Sequence, residues 1–251
     1  MTRVLLYGGT TEGHELACAL AEAGLEVCVS VATDEGAKVL PKGLAGLTVR
    51  IGAQNSEEKH ELMTSGFDVV VDATHPYATS VSKSVREAAQ RAGLPLLRII
   101  RPKGDTEGCV LASSIADAVG KIPPKGNVLA TTGSKEIGLY AAMEGVGERL
   151  YARVLNVESS VEACRAAGIP DEHIIAKRGP FSVEENIECI DEHRIEVLVT
   201  KDGGNAGGYP EKLEAARARG VTMIVIERPE EETGIEKDEA LQMILEGRFS
   251  L

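Results

Sequence analysis

Apolar residues along this chain gather into short runs at 4–7, 26–31, 48–51, 68–72 and 96–100. Between them apolar positions recur at three- and four-residue spacing. Continuous short runs mark parallel strands buried on both faces, and the longer spacing marks amphipathic helices. Helices are expected at 12–23, 56–65 and 79–92, with weaker helical character after Asp34; Gly24 and Gly93 stand where C-caps end helices. Right-handed crossovers then predict a mainly parallel sheet of order 3-2-1-4-5.

The alternation pauses at a loop, 104–108, and a short helix, 114–119, before Pro123-Pro124-Lys125-Gly126 suggests a domain junction. Strands at 128–131, 149–154, 173–176, 197–200 and 223–226 follow, with helices at 135–144, 159–167, 182–192, 210–219 and 237–246. The expectation is an α/β protein of two Rossmann-like, doubly wound parallel-sheet domains, residues 1–122 and 123–251, facing each other across a cleft.

Composition narrows the classes. The 251 residues suffice for a sizeable core, and no apolar run approaches the roughly 18 residues of a membrane span. Met1-Thr2-Arg3 leads straight into a strand, which suggests a cytoplasmic protein with no secretory signal. A net charge of -12 and 3% aromatic residues argue against nucleic-acid partners. Five cysteines without a C-x-x-C pair and five dispersed histidines point to neither a disulfide framework nor a metal.

Chemistry concentrates where strands end. Gly8-Gly9-Thr10-Thr11-Glu12-Gly13 follows the first strand and opens a helix. Glycines there allow a tight turn and close approach to a pyrophosphate, and the helix start offers free N–H groups. Thr10 or Thr11 can cap the helix or bind phosphate; Glu12 could reach a ribose or simply favour the helix start. The spacing is not G-x-G-x-x-G, and a capped β–α turn without ligand has the same look. After the second strand, Ser30, Thr33 and Asp34 could hold a ribose, while Asp34-Glu35 would repel a phosphate, so NADH is favoured over NADPH.

Asp72-Ala73-Thr74-His75-Pro76-Tyr77 ends the fourth strand, and core packing explains it poorly. Asp72, Ala73 and Thr74 are candidates for the cofactor side. His75, kept extended by Pro76, is a candidate proton donor or ligand-orienting group, with Tyr77 beside it. The plainer reading makes Asp72 and Thr74 caps of the following helix.

Basic residues recur at the strand ends: Arg98 and Arg101 in the first half, then Lys135 after Thr131-Thr132-Gly133-Ser134, Arg153, Lys177 and Lys201. Parallel strands share one carboxyl edge, so a positive cleft can exist in an acidic protein and suits a polycarboxylate. Lys201-Asp202-Gly203-Gly204-Asn205-Ala206-Gly207-Gly208 adds a loop whose amides can face an anion. Each of these charges singly is as well explained by a solvated surface.

Leu5-Leu6-Tyr7-Gly8-Gly9-Thr10-Thr11-Glu12-Gly13, Asp72-Ala73-Thr74-His75-Pro76-Tyr77-Ala78, Arg98-x-x-Arg101-Pro102, Thr131-Thr132-Gly133-Ser134-Lys135 and Lys201-Asp202-Gly203-Gly204 together resemble the precorrin-6A and cobalt-precorrin-6A reductase family of corrinoid biosynthesis. The resemblance spans about residues 4–229. It implies two Rossmann-like halves, a nicotinamide cofactor held mainly by the first, and a polycarboxylate tetrapyrrole in the cleft. It also implies hydride transfer to C19 with a proton at C18. Carried onto this chain, Gly8, Gly9, Thr10, Thr11 and Glu12 would hold cofactor; Thr74, His75, Tyr77, Lys135, Arg153, Lys177 and Lys201 would line the substrate. The further candidates for substrate contact are Arg98, Arg101, Thr132, Gly133, Ser134, Asp202, Gly203, Gly204 and Asn205. Asp34-Glu35 leans toward the cobalt-containing branch. A short-chain dehydrogenase would need Tyr-x-x-x-Lys, which is absent. A non-catalytic nucleotide-sensing module explains the glycine turn but not the basic residues.

Overall fold

Strand β1 (Arg3–Tyr7) sits at the centre of a five-stranded parallel sheet with β2 (Glu26–Val31), β3 (Leu47–Ile51), β4 (Val69–Asp72) and β5 (Leu96–Arg98), in the order β3-β2-β1-β4-β5. Helices α1 (Thr11–Glu22), α2 (Asp34–Ala37), α3 (Ser56–Met63) and α4 (Thr79–Ala92) make the crossovers. The computed structural model describes residues 2–101, 103–204, 207–228 and 233–249.

Alternate residues of the central strands feed two cores. Val4, Leu6, Val29 and Val71 pack with Leu16 and Leu20 of α1, while Leu5, Tyr7, Cys28 and Val70 pack with Met63 of α3 and Val85 of α4. This two-sided burial is why the strands read as apolar runs.

The second sheet is built from β6 (Val110–Ala112), β7 (Asn127–Ala130), β8 (Leu150–Val154), β9 (Ile174–Ala176), β10 (Ile195–Lys201) and β11 (Thr222–Ile226), in the order β6-β11-β10-β7-β8-β9. From β9 to β11 it repeats the doubly wound order of the first sheet, and β6 adds a sixth strand beside β11. Its helices are α5 (Ile115–Lys121), α6 (Val146–Arg149), α7 (Glu158–Ala166), α8 (Val183–Glu192) and α9 (Tyr209–Arg219). The expected helix at 135–144 is instead a short 3-10 helix, Ile137–Ala142.

The boundary expected at 122/123 is corrected. One unit comprises residues 1–102 and 230–251, the other 103–229. The chain leaves the first unit before β6, whose pairing with β11 commits it to the second sheet. After β11 it returns: Ile235 forms a parallel bridge with Ile99, and α10 (Lys237–Leu245) buries Ala240 and Ile244 in the α1-side core of the first unit. Pro123-Pro124 is therefore the connection between α5 and β7. Among the described residues no helix is long and apolar enough to cross a membrane.

Candidate functional site

Gly9 and Gly13 show why the first turn needs glycine. Gly9 has φ +120°, a conformation that L side chains rarely adopt, and a Cβ there would project into open space. A Cβ on Gly13 would stand 2.9 Å from the Ala73 Cβ, so α1 lies close against the end of β4 only because Gly13 has none. Thr10 caps α1: its Oγ1 accepts from Gly13 N (3.2 Å) and donates to Ala73 O (2.8 Å). One threonine therefore joins the ends of β1 and β4, the two strands flanking the switch point where a doubly wound sheet opens a crevice. The unbonded amides at the start of a helix are the groups that an anion can accept from.

Other candidates prove to be committed internally. Asp72 is buried; its Oδ1 accepts from Thr74 N (3.1 Å), Thr74 Oγ1 (2.7 Å) and Arg98 Nη1 (3.0 Å). Thr74 Oγ1 also lies 3.0 Å from Ser82 Oγ, and Arg98 Nη1 donates to Thr74 O at 3.0 Å. Asp72, Thr74 and Arg98 thus shape the end of β4. The helix-cap reading fails too, because Ala78 is the N-cap of α4 and no side chain caps it. Arg101 pairs with Glu12, so Glu12 is a carboxylate held by a buried arginine.

His75, in contrast, is exposed. His75-Pro76-Tyr77-Ala78 forms a turn closed by Ala78 N to His75 O (2.8 Å), and Tyr77 N donates to His75 Nδ1 at 3.3 Å. In that bond Nδ1 is the acceptor, which leaves Nε2 as the donor of the ring. At the end of β2, Ser30 is buried with its Oγ on Gln54 Oε1 (3.1 Å), and Thr33 caps α2 through Gly36 N (3.3 Å). Asp34 is left exposed at the start of α2.

The second unit has its own switch point, between β7 and β10. Gly133 takes a left-handed φ of +82° in the turn after β7. Thr132 Oγ1 lies 3.2 Å from Tyr140 Oη and Ser134 Oγ 2.9 Å from Ser160 Oγ, which fixes that turn. Lys135 and Lys177 are exposed, and Lys201 pairs with Glu136 at 3.0 Å. Asp202 is buried and paired with Arg228 at 3.3 Å, and it accepts from Gly104 N (3.2 Å) and Gly204 N (3.2 Å). It holds the loop. Gly203 and Gly204 are buried in the same turn; Asn205 lies outside the described residues.

Arg153 is buried on the α8 side of β8, with Nη2 donating to Asn186 Oδ1 (2.8 Å) and its guanidinium 4.1 Å from the Phe181 ring centroid. Sequence reasoning missed Ser82, Arg228 and Lys212. Arg228 lies two residues beyond β11, where the strand-end rule would have found it. Lys212 stands between Tyr209, Leu213 and Ala216 on the buried stripe of α9, an anomaly visible in the helical spacing.

Residues 3–245 match a family model described as precorrin-6x reductase CbiJ/CobK. The chain is 32% identical over 237 residues to a cobalt-precorrin-6A reductase of Priestia megaterium, covering 92% of each. It is 34% identical over 236 residues to a precorrin-6A reductase of Rhodococcus erythropolis, covering 91% of this chain and 90% of that one. A solved structure of CobK precorrin-6A reductase superposes with a TM-score of 0.81 at 26% identity, covering 100% of this chain and 99% of that one.

Proposed function

The chain belongs to the precorrin-6x reductase family, and on that premise we propose that it reduces precorrin-6A in its cobalt form in corrinoid biosynthesis, adding hydride at C19. The single observation that carries the reading is the capped turn from Gly8 to Thr11, which Thr10 ties to the end of β4 at the switch point of the first sheet.

A reductase of this family takes a nicotinamide cofactor, and the first unit fits one. The open space beside Gly9 is the cradle that a side chain would fill, at the start of a helix whose first amides suit a phosphate. When bound, the nicotinamide supplies the hydride. Gly8, Gly9, Thr10 and Thr11 would hold its pyrophosphate, and Asp34 would accept from its ribose. Asp34 and Glu35, both in the first turn of α2, favour NADH over NADPH because a 2′-phosphate there meets two carboxylates.

The second unit grips the carboxylate arms through Lys135, Lys177 and Arg153 and through the amides around Gly133. Lys201 joins them while sharing its charge with Glu136. His75 presents Nε2–H from an exposed turn and orients the substrate or delivers the proton at C18. The protein's contribution is orientation and electrostatics, since the hydride belongs to the cofactor.

Anaerobic mixing with cobalt-precorrin-6A and NADH, followed by nicotinamide absorbance and product mass, tests the reading. Substrate-dependent oxidation with a two-hydrogen mass gain is expected. Absence of oxidation with NADH and NADPH, on both the cobalt and the metal-free substrate, rejects it.

A further inference from the structure

Two buried cations in the second unit lack a carboxylate partner. Arg153 of β8 and Lys212 of α9 are 6% and 9% exposed, and among the described residues no carboxylate lies within ion-pair distance of either. Arg153 has five N–H donors, of which one is used by Asn186 Oδ1. Lys212 Nζ donates to Gly207 O (2.8 Å) and Gly208 O (2.9 Å), leaving its third proton.

The Arg153 charge reaches Lys212. Burial, and then the Arg153 charge, push the Lys212 pKa down to about 8. Burial also lowers that of Arg153. Two acids act on the pair without bonding to it: Glu185 raises Arg153 but is turned back to cap α8 through Ser182 N (2.8 Å), and Glu211, whose Oε2 is buried without a hydrogen-bond partner, raises Lys212 less than Arg153 lowers it. Cys189 is a thiol whose pKa burial raises, so it offers no counter-charge near neutrality.

Burying like charges together without a counterion is costly, and removing them would relieve the protein. A fold keeps such a pair where an anion completes it. We infer that Arg153 and Lys212 form a dicationic subsite for one carboxylate arm of the tetrapyrrole, with Asn186 and Phe181 fixing the guanidinium plane and the Gly207 and Gly208 carbonyls aiming the ammonium. The inference deepens the reductase reading and rests on it for the identity of the arm. It adds Lys212, a residue on the helix after the glycine loop, to the cations at the strand ends.

Uroporphyrin I, an octacarboxylate tetrapyrrole, is the probe. Its binding is titrated by porphyrin fluorescence on the full chain and on K212M, K212R, R153M and K125M, with circular dichroism to confirm folding. Losing a charge-assisted bond at a buried site weakens binding by about tenfold to a hundredfold. That loss is expected for K212M and R153M, with K212R within about threefold of the parent by the same scale and K125M, an exposed-charge control, unchanged. Parental affinity in folded K212M, an equal loss in K125M, or no binding by the parent each overturns the subsite.

Turnover is measured separately with cobalt-precorrin-6A. A raised KM in K212M with kcat retained supports the subsite. Turnover with an unchanged KM in K212M sinks the subsite and leaves the reductase standing. Absence of turnover with uroporphyrin binding that still depends on Lys212 sinks the reductase reading and leaves the anion site.

Discussion

Arg98 Nη1 lies 3.0 Å from Asp72 Oδ1, and the two side chains are only 7% and 2% exposed. The pair joins the ends of β4 and β5 and holds the turn that presents His75. Removing one partner strands the other charge in the interior, a cost of about 3–5 kcal/mol. R98M is expected to lose stability of that order in urea denaturation, whereas the double variant D72N/R98M should lose less than the sum of its parts. Additive losses would mean that the two groups do not act as a pair.

The first turn makes a second case. G9A forces a side chain into φ +120°, at about 1–3 kcal/mol of strain. G13A brings a Cβ to 2.9 Å from the Ala73 Cβ and pushes α1 off the end of β4, an overpacking cost of about 1–3 kcal/mol. Both variants should weaken nicotinamide nucleotide binding in a fluorescence titration, G13A by displacing the helix start that carries the amides. Unaltered nucleotide affinity in both folded variants would remove this turn from the cofactor site.

The order of the first sheet was legible because its central strands β1, β2 and β4 are buried on both faces and separated from their neighbours by helices. The second sheet was legible only in part: Val110-Leu111-Ala112 is three residues long and has two exposed positions, too little pattern to announce a strand. Its pairing with β11 is what moves the boundary to 102/103, and nothing local in Pro123-Pro124 distinguishes a junction from a connection inside a domain. The sequence placed the candidate residues at strand ends but did not show which side chains turn inward. Asp72, Arg98 and Asp202 look like ligand groups in one dimension, and their partners Thr74 and Arg228 become evident only once strands are side by side.

Cofactor choice gives a third prediction. Asp34 is exposed at the first position of α2, and Thr33, tied to Gly36 N, fixes where that helix begins. NADH should be preferred, and D34R should shift the ratio of kcat/KM toward NADPH by about tenfold or more, the effect of exchanging a repelled phosphate for a bidentate one. Steady-state rates with both nucleotides check this. A parent that prefers NADPH, or a D34R variant with the parental ratio, would place the 2′-position elsewhere.

Lys212 ties stability to pH. Its pKa falls from the ordinary lysine value of 10.5 to about 8 in the folded chain. The unfolded chain therefore binds the proton more tightly, so the protonated folded state carries a penalty that is complete below pH 8. The penalty disappears as pH rises from about 8 to about 10.5, and stability contributed by this group rises by about 3 kcal/mol across the window. Cys109, Cys164 and Cys189 oppose the trend, because burial raises their thiol pKa values and makes folding less favourable as they ionise. The measurement is hence the difference between parent and K212M in urea unfolding at pH 7 and pH 10. The parent should gain relative to K212M on going to the higher pH. A constant difference would mean that Lys212 keeps its ordinary pKa, with water or a counter-charge reaching it in solution.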